Sequence, residues 1–165
     1  MDIKYCSFCS TFLKTKIFNN VERLYCEKCN FIHYKNPTVG VAVILFDQSR
    51  LLLVKRKGSY SGMWCIPCGH LEWDENVRDA AIREFKEETG LEVKIDRVFD
   101  VHSNFHDLHN QTVGIWFLGE RTGGILKAGS DASDARFFSL NDLPESMMAF
   151  PTDIKICNAL KSNLL

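Results

Sequence analysis

The chain has 165 residues, of which 45% are hydrophobic and 25% charged, and its formal net charge at pH 7 is −1. This length provides one full hydrophobic core and a small appendage, and the near-zero charge argues against general binding to nucleic acid or to a membrane surface. The longest apolar run covers residues 39–46, far fewer than the ~18 residues of a membrane span.

The cysteines indicate the compartment. Seven cysteines stand mostly in CxxC pairs, and the N-terminal segment is too polar for a secretory signal. An odd number of such cysteines is typical of metal binding in a reducing compartment rather than of a disulfide framework. We therefore predict a cytoplasmic protein.

The first 36 residues carry two CxxC motifs at zinc-ribbon spacing. Cys6 and Cys9 form the first motif, and sixteen residues separate it from Cys26 and Cys29. Four thiolates close a tetrahedral zinc site and leave no position for water, which is typical of structural rather than catalytic zinc. We predict a zinc ribbon over residues 1–36, with a short hairpin between the motifs. Its six Lys and Arg against three Asp and Glu keep nucleic-acid contact as an alternative to the scaffold role that we favour.

Two strands are predicted next. Residues 38–46 are β-branched and continuously apolar, as expected of a strand buried on both faces. Residues 50–55 form the return strand after a turn, and three consecutive cations begin where that strand ends. Of these, Arg56 is our candidate for contact with a substrate phosphate, and a solvated strand end is the equal alternative.

The sequence WCIPC at residues 64–68 is similar to the redox site of thioredoxin. A CxxC pair in a cytosolic chain is a recognised redox signature. In thioredoxin-like proteins the pair opens a helix, whereas here Cys65 and Cys68 run directly into Gly69 and the acidic segment that follows. We therefore favour a structural role, with a redox role as the alternative.

The segment 69–91, GHLEWDENVRDAAIREFKEETGL, contains the strongest signal in the chain. Its second half has apolar residues at helical spacing and ends at Gly90, a residue type that commonly ends a helix in the left-handed conformation. Glu84, Glu87 and Glu88, called the box acids below, lie at i, i+3 and i+4 and project from one side of that helix. Two of them lie where the helix dipole disfavours carboxylates. They indicate a hard divalent cation such as Mg²⁺ or Mn²⁺, or else a solvated acidic face whose charge is balanced by Arg83 and Lys86.

The remaining chain is predicted to complete the sheet and to cover it with a helix. Strands are expected at residues 92–101, 112–119 and 135–139, with a turn region at 122–129. A final amphipathic helix is expected from Thr152 onwards.

Loop residues in this part supply further candidates. His102, His106 and His109 lie in or beside a polar loop, for which we favour a substrate-facing role over a second metal site. Asp131 and Asp134 are acids able to reach the metal site from another loop, although most such acids are merely exposed.

The segment 69–91 resembles the Nudix box at every specified position, reading Gly69, five residues, Glu75, seven residues and then REFKEETGL. The CxxC ribbon, an HYxNP connector and the late segment FFSLNDLP extend the resemblance to the zinc-ribbon branch of the Nudix hydrolases. That branch includes FAD and ADP-ribose pyrophosphatases and is related to the NADH pyrophosphatases. Cys68 departs from the pattern, since Nudix proteins usually have a glycine there, and the SQPWPFP-like signature of the NADH enzymes is missing.

The resemblance implies an α/β fold, with a Nudix α/β/α sandwich around a mixed sheet over residues 37–165. It also implies Mg²⁺- or Mn²⁺-dependent hydrolysis of the pyrophosphate bond of a nucleoside diphosphate linked to another moiety. FAD or ADP-ribose is favoured, giving AMP and a second phosphate. The alternatives are sanitation of an oxidised nucleoside triphosphate, an NADH pyrophosphatase, and a non-catalytic module that senses nucleotides or binds nucleic acid.

The family pattern assigns roles to individual residues. The three box acids ligate the catalytic metal with help from the Gly69 carbonyl, Arg83 holds a box acid in position, and Glu75 braces the loop. The expected partner is a small nucleotide rather than nucleic acid or a membrane, and a homodimer is left open. The general base is open among Glu87, Glu88, Asp131 and Asp134, and the candidates for substrate contact are Arg56 and Asp134.

Overall fold

The computed structural model describes residues 3–163, which form two compact units divided between residues 36 and 37. Residues 1–2 and 164–165, the ends of the two predicted domains, lie outside the described part. Within residues 3–163, no helix has the length and apolar character needed to cross a membrane. The elements are the strands β1 Lys14–Phe18, β2 Val21–Tyr25, β3 Ile32–His33, β4 Thr38–Asp47, β5 Arg50–Arg56, β6 Trp64–Cys65, β7 Cys68–His70, β8 Leu91–Asn104, β9 Thr112–Gly124 and β10 Ala132–Ser139, and the helices α1 Val77–Thr89 and α2 Pro151–Asn163.

The first unit is a three-stranded antiparallel sheet in the order β1-β2-β3. Asn19 and Asn20 join β1 to β2 with φ angles of 49° and 63°, the left-handed pair that a two-residue hairpin turn requires. The hairpin predicted between the two CxxC motifs is thereby confirmed. The buried apolar core of this unit contains only Cys6, Leu13 and Cys26 among the described residues, which is too small to stabilise a unit of this size without a further element.

The second unit is built on a mixed sheet. Its main strands follow the order β10-β5-β4-β9-β8, in which β4 and β9 run parallel and the other neighbours antiparallel. The short strands β6 and β7 pair with β5 and β4. Because β7 contains Gly69, the sheet itself holds the beginning of the acidic segment in place.

Side chains of β4 alternate between two cores. Val41, Val43 and Leu45 pack with α1 on one face of the sheet, whereas Ala42 and Ile44 pack with α2 on the other. A helix therefore covers each face, and β4 is buried on both sides as its continuous apolar sequence predicts. The predicted α/β fold, a sandwich around a mixed sheet, is confirmed.

The end of β9 differs from the prediction. This strand continues to Gly124, although the sequence predicts a turn region at 122–129, because β8 and β9 pair as one long ladder that places Leu91 opposite Gly124. An added Cβ at Gly124 would lie 2.4 Å from the carbonyl oxygen of Gly90. The glycine therefore permits a close contact between backbones rather than a turn. β10 likewise begins earlier than predicted, at Ala132.

Asp153 connects α2 to the sheet through two hydrogen bonds. One carboxylate oxygen accepts from the backbone N–H of Ile66 at 3.0 Å, and the other accepts from the indole N–H of Trp116 at 3.1 Å. Asp153 is 2% exposed, and burial raises the pKa of its carboxyl to about 7 although both donors oppose the rise. The acid therefore satisfies two N–H groups inside the core.

Replacing Asp153 with alanine is expected to destabilise the fold by about 2–4 kcal/mol, because two buried donors lose their acceptor. Asp153→Asn retains one acceptor and should lose less. Urea unfolding followed by tryptophan fluorescence measures the change. The control is Asp142→Ala, which removes an exposed acid from the helical turn Leu140–Asp142. Equal stability of the two alanine variants would contradict the role assigned to Asp153.

Candidate active site and zinc centre

Helix α1 positions the box acids. It begins after Asn76, whose side chain accepts a hydrogen bond from the backbone N–H of Arg78 at 2.9 Å. It ends at Gly90, whose φ of 69° is left-handed as predicted. Phe85 anchors the buried face of the helix in the core. The box acids consequently lie in its last two turns, close to strand β7.

Glu88 is the buried member of the box acids. It is 1% exposed, and one of its carboxylate oxygens accepts from the backbone N–H of Cys68 at 2.8 Å. Burial raises the pKa of the Glu88 carboxyl to about 8, with Asp131 and Glu84 adding to the rise and the Cys68 N–H and the Arg56 guanidinium opposing it. The charged form of Glu88 is therefore only partly compensated by positive charge.

Arg83 contacts three acids. Its Nε and Nη2 donate to the two carboxylate oxygens of Glu75, each at 2.8 Å, and this forked pair fixes the guanidinium plane. Its Nη1 lies 2.8 Å from Glu84 Oε1 and 3.6 Å from Glu87 Oε2. The hydrogen bonds from Arg83 lower the pKa of Glu75. Glu75 thus holds Arg83, and Arg83 in turn orients two of the box acids.

Gly69 leaves room for the Glu84 carboxylate. A Cβ added at Gly69 would lie 2.0 Å from the carboxyl carbon of Glu84. Gly69 is paired with Val41 in the sheet, so its backbone is not able to move aside without breaking that pairing. The absent side chain lets α1 place an acid directly against β7.

Arg56 lies at the end of β5 and is not a solvated strand end. Its side chain is 15% exposed, and its Nη2 lies 3.9 Å from an Asp131 carboxylate oxygen. Its Nε donates to the carbonyl oxygen of Ser59 at 3.1 Å, and its Nη1 lies 3.8 Å and 3.9 Å from the sulfurs of Cys65 and Cys68. Since its carboxylate contact is long, the guanidinium keeps capacity to bind an anion.

Asp134 is paired elsewhere. Its carboxylate lies 2.6 Å from Arg136 Nη2, and the Arg136 guanidinium lies 5.9 Å from the centre of the Trp64 ring. Trp64 belongs to the core beneath α2, whereas the box acids lie on α1. Of the two loop acids considered from the sequence, the structure therefore brings Asp131, and not Asp134, to Arg56.

The environment of the WCIPC segment disfavours redox chemistry. The neighbouring Cys65 thiol, together with burial, raises the pKa of Cys68 well above the usual value for cysteine. Cys65 itself is fully buried. Because the thiolate is the reactive form in thiol–disulfide exchange, the raised pKa of Cys68 and the burial of Cys65 make a poor redox centre.

The four ribbon cysteines converge on one point. The ligand atoms of Cys6, Cys9, Cys26 and Cys29 all lie within 4.8 Å of one another, and the Cys6–Cys29 and Cys9–Cys26 sulfurs are each 3.5 Å apart. A tetrahedral ion with Zn–S bonds of about 2.3 Å places its sulfurs about 3.8 Å apart, so the cluster fits zinc. Metal binding would supply the stability that the small core of this unit lacks.

Cys26→Ser is expected to lower the zinc content from about one ion per chain to well below that, because Cys26 supplies one of four ligands and is fully buried. Metal analysis of the purified protein measures it. Cys157→Ala, which changes a buried thiol on α2, should retain its zinc. Equal zinc in both variants would contradict the ligand assignment.

The box acids are spread over separate contacts rather than gathered into one ligand group. Among residues 3–163, only the ribbon cysteines form a group of three or more such ligands within 4.8 Å, because Arg83 holds two box acids and the Cys68 N–H holds the third. Lys86 does not balance them, since it pairs with Glu92 at 2.9 Å. Carboxylate oxygens around a buried and only partly compensated charge are nevertheless a donor set that suits Mg²⁺ or Mn²⁺.

The loop histidines do not form a second ligand group among the described residues. His102 Nε2 lies 3.1 Å from an Asp100 carboxylate oxygen. His106 instead contacts two aromatic rings, those of Tyr60 and Phe150.

Two family models match the chain over nearly its whole length. The NUDIX domain model matches residues 36–157, and the Nudix N-terminal zinc-ribbon model matches residues 4–35. The first of these contains the box acids, Arg83 and Gly69. The chain belongs to the Nudix hydrolase family.

Similar proteins include two relatives found by sequence and one solved structure. The chain is 40% identical over 114 residues to a protein from Methanocaldococcus jannaschii named ADP-ribose pyrophosphatase, covering 68% of each chain. It is 27% identical over 144 residues to a protein from Vibrio atlanticus named NAD-capped RNA hydrolase NudC, covering 87% of this chain and 52% of that one, so it spans about half of that relative. A solved Nudix hydrolase from Nitrosomonas europaea aligns with a TM-score of 0.81 at 30% identity, covering 92% of this chain and 86% of that one.

Two contacts at the site of this Nudix hydrolase are not predictable from its sequence. One is the hydrogen bond from the Cys68 backbone to Glu88, because a backbone N–H carries no signal in the sequence. The other is the ring of Phe150, which lies 5.2 Å from the Arg56 guanidinium. Residues so far apart in the chain meet only through the fold, and no local pattern connects them.

Proposed function

We propose that this Nudix hydrolase cleaves the pyrophosphate bond of a nucleoside diphosphate linked to another moiety and depends on Mg²⁺ or Mn²⁺. ADP-ribose is the first candidate substrate and FAD the second, each giving AMP and a second phosphate. The relative named ADP-ribose pyrophosphatase, at 40% identity, supports the first candidate. The observation that carries the chemistry is Glu88, a buried carboxylate at the end of α1 whose pKa stays raised to about 8 although Arg56 offsets part of its charge.

The box acids would hold the cation, with the carbonyl oxygen of Gly69 as a further donor. Hard divalent cations prefer such oxygen ligands. When bound, the cation supplies charge neutralisation at the pyrophosphate and lowers the pKa of a bound water. Its presence would also offset the buried charge of Glu88, which gives one reason for a carboxylate in this position.

The remaining residues would orient and bind. Arg83, held by Glu75, positions Glu84 and Glu87. Arg56 would donate hydrogen bonds to a substrate phosphate. We assign the general base to Glu87 or Asp131, whose side chains are 48% and 53% exposed and so are open to water.

A substrate panel tests the proposal. ADP-ribose, FAD, NADH and an oxidised deoxynucleoside triphosphate are incubated with zinc-loaded protein and Mg²⁺ or Mn²⁺, and the products are separated by chromatography. AMP from ADP-ribose supports the proposal, and release of pyrophosphate from the triphosphate would instead indicate nucleotide sanitation. Failure to cleave any of the four with either metal would refute it and would favour a non-catalytic module.

Hydrolysis of NADH or of an NAD-type RNA cap is the second candidate. The similarity to the protein named NAD-capped RNA hydrolase covers 87% of this chain and therefore extends from the Nudix domain into the first 36 residues. The scissile bond is of the same kind, so the box acids would act unchanged. Adding a short NAD-capped RNA to the panel distinguishes the two, because release of a 5′-phosphorylated RNA requires this second activity.

Without added Mg²⁺, the zinc-loaded protein is expected to be less stable at about pH 8 than at about pH 6. Glu88 has a folded-state pKa of about 8 against 4.5 for an unperturbed, solvated glutamate, so between these two pH values the folded state binds more protons than the unfolded state. Stability therefore falls as pH rises towards 8. Added Mg²⁺ should raise the melting temperature more at the higher pH, since it binds the carboxylate form.

Thermal melts at both pH values, with and without Mg²⁺, measure the effect. Glu88→Gln should show a smaller pH slope and a smaller response to Mg²⁺, with Asp153 providing the slope that is left. An identical slope and an identical Mg²⁺ response in the wild type and Glu88→Gln would contradict the prediction.

A further inference from the structure

Three aromatic side chains form a cluster beside Arg56. We call the rings of Tyr60, His106 and Phe150 the ring cluster. Between ring centroids, Phe150 lies 5.4 Å from Tyr60 and 5.5 Å from His106, and Tyr60 lies 5.9 Å from His106. Each ring comes from a different part of the chain: the loop after β5, the loop after β8, and the approach to α2. The Arg56 guanidinium lies 5.2 Å from the centre of the Phe150 ring, so the ring cluster adjoins the proposed phosphate contact.

We propose that the ring cluster binds the nucleobase of the substrate while Arg56 binds the adjacent phosphate. This assignment rests on the proposed function, because it places one end of the nucleoside diphosphate on a surface next to Arg56. Its ligand is a flat aromatic heterocycle, which stacks on aromatic side chains.

The order of contacts matches the order of groups in a nucleotide. Glu88 contacts the backbone of Cys68, and the Cys68 sulfur lies 3.9 Å from Arg56. Arg56 in turn lies against Phe150, which contacts the other two rings. A substrate whose pyrophosphate lies at Glu88 and Arg56 therefore extends its nucleoside towards the ring cluster.

The ring cluster remains open to a ligand. Tyr60 is 41% exposed and His106 is exposed, while Phe150 is partly buried and supports both. The Tyr60–Phe150 and Tyr60–His106 pairs are edge-to-face, at 71° and 67°. In an edge-to-face pair the edge of one ring meets the face of the other, so the ring that contributes its edge keeps both of its faces free of that contact and available for stacking.

The backbone of Tyr60 provides independent support. Tyr60 has a φ of 58°, a conformation that is a clear outlier for a bulky residue. Gly58 and Gly62 in the same loop are also left-handed, with φ angles of 62° and 84°. Glycine or asparagine at position 60 would adopt this conformation at lower cost than tyrosine does. Such strain is concentrated at ligand sites, where the side chain itself is needed.

Binding of AMP and of ribose 5-phosphate to the full, zinc-loaded chain, measured by calorimetry, tests the inference. The two probes share the phosphate and ribose and differ in the base. The wild type should bind AMP more tightly than ribose 5-phosphate. Tyr60→Asn and His106→Ala should each weaken AMP binding by ~10-fold and leave ribose 5-phosphate unchanged. Tyr60→Phe, which keeps the ring, should retain AMP affinity.

Two controls separate stacking from folding. Asparagine accepts a positive φ, so Tyr60→Asn should keep or raise the melting temperature while losing AMP affinity. Leu108→Ala removes an apolar side chain that is 76% exposed on the same loop as His106, and it should bind AMP like the wild type.

Equal affinity of the wild type for the two probes, or unchanged AMP affinity in Tyr60→Asn and His106→Ala, overturns the inference. Turnover separates it from the proposed function. If ADP-ribose is cleaved with the same KM in the wild type and both variants, the proposed function stands and the ring cluster has no such role. If AMP binding depends on the cluster but no substrate is cleaved, the base site stands and the proposed activity fails.

Discussion

Glu88→Gln is expected to lower kcat by about three orders of magnitude while leaving the fold at least as stable as the wild type. The amide removes the negative charge that would hold a divalent cation, and the size of the side chain is unchanged. The glutamine oxygen still accepts from the Cys68 N–H, which lies 2.8 Å from the carboxylate. Because burial already raises the pKa of Glu88 to about 8, the folded protein loses no favourable charge.

Steady-state kinetics with ADP-ribose, together with a thermal melt, measure both parts of this expectation. Glu92→Gln is the matched control, since Glu92 is a half-exposed acid that pairs with Lys86 away from the box acids. It should retain wild-type kcat. Near-wild-type turnover by Glu88→Gln would remove Glu88 from the metal site and with it the principal support for the mechanism.

The parts of the site that the sequence predicts are those set by local spacing. The positions of the box acids on α1 follow from helical periodicity, and Gly90 ends the helix in the left-handed conformation that its residue type indicates. The cysteines of the ribbon converge because each CxxC turn presents two sulfurs to one point. In both cases a few consecutive residues contain the whole signal, so neither depends on how the sheet pairs.

The parts that the sequence does not predict depend on contacts between distant segments. The choice between Asp131 and Asp134 is decided by Arg136, which pairs with Asp134 and leaves Asp131 near Arg56. The wrong prediction for the end of β9 has the same origin. Glycine at 124 is typical of a turn, and only its pairing with Leu91 of β8 shows that it belongs to the strand. The sequence shows that these acids and this glycine are present, and only the pairing of the strands shows what they contact.

Gly69→Ala is expected to lower kcat/KM by about 100-fold with little change in stability. The added Cβ would overlap the Glu84 carboxylate, whose carbon lies 2.0 Å from the ideal Cβ position. That carboxylate is the end of a rotatable side chain, so it moves aside at small cost to folding and leaves its place beside β7. A misplacement of about 1 Å in a catalytic group is sufficient for a loss of this size.

Gly123→Ala is the matched control, because its added Cβ would also meet a glutamate, lying 3.0 Å from Glu92 Oε2. Both substitutions therefore add the same methyl group to a strand and displace an acid, but only Gly69→Ala displaces a box acid. Kinetics with ADP-ribose and melting temperatures of the two variants measure the contrast. If Gly69→Ala lost activity only in proportion to lost stability, or if both variants kept full activity, Glu84 would have no positional role. The φ of Gly69 lies outside the left-handed region, so its backbone conformation does not require glycine. A folded and inactive Gly69→Ala beside an active Gly123→Ala would therefore show that glycine is required here for the placement of Glu84.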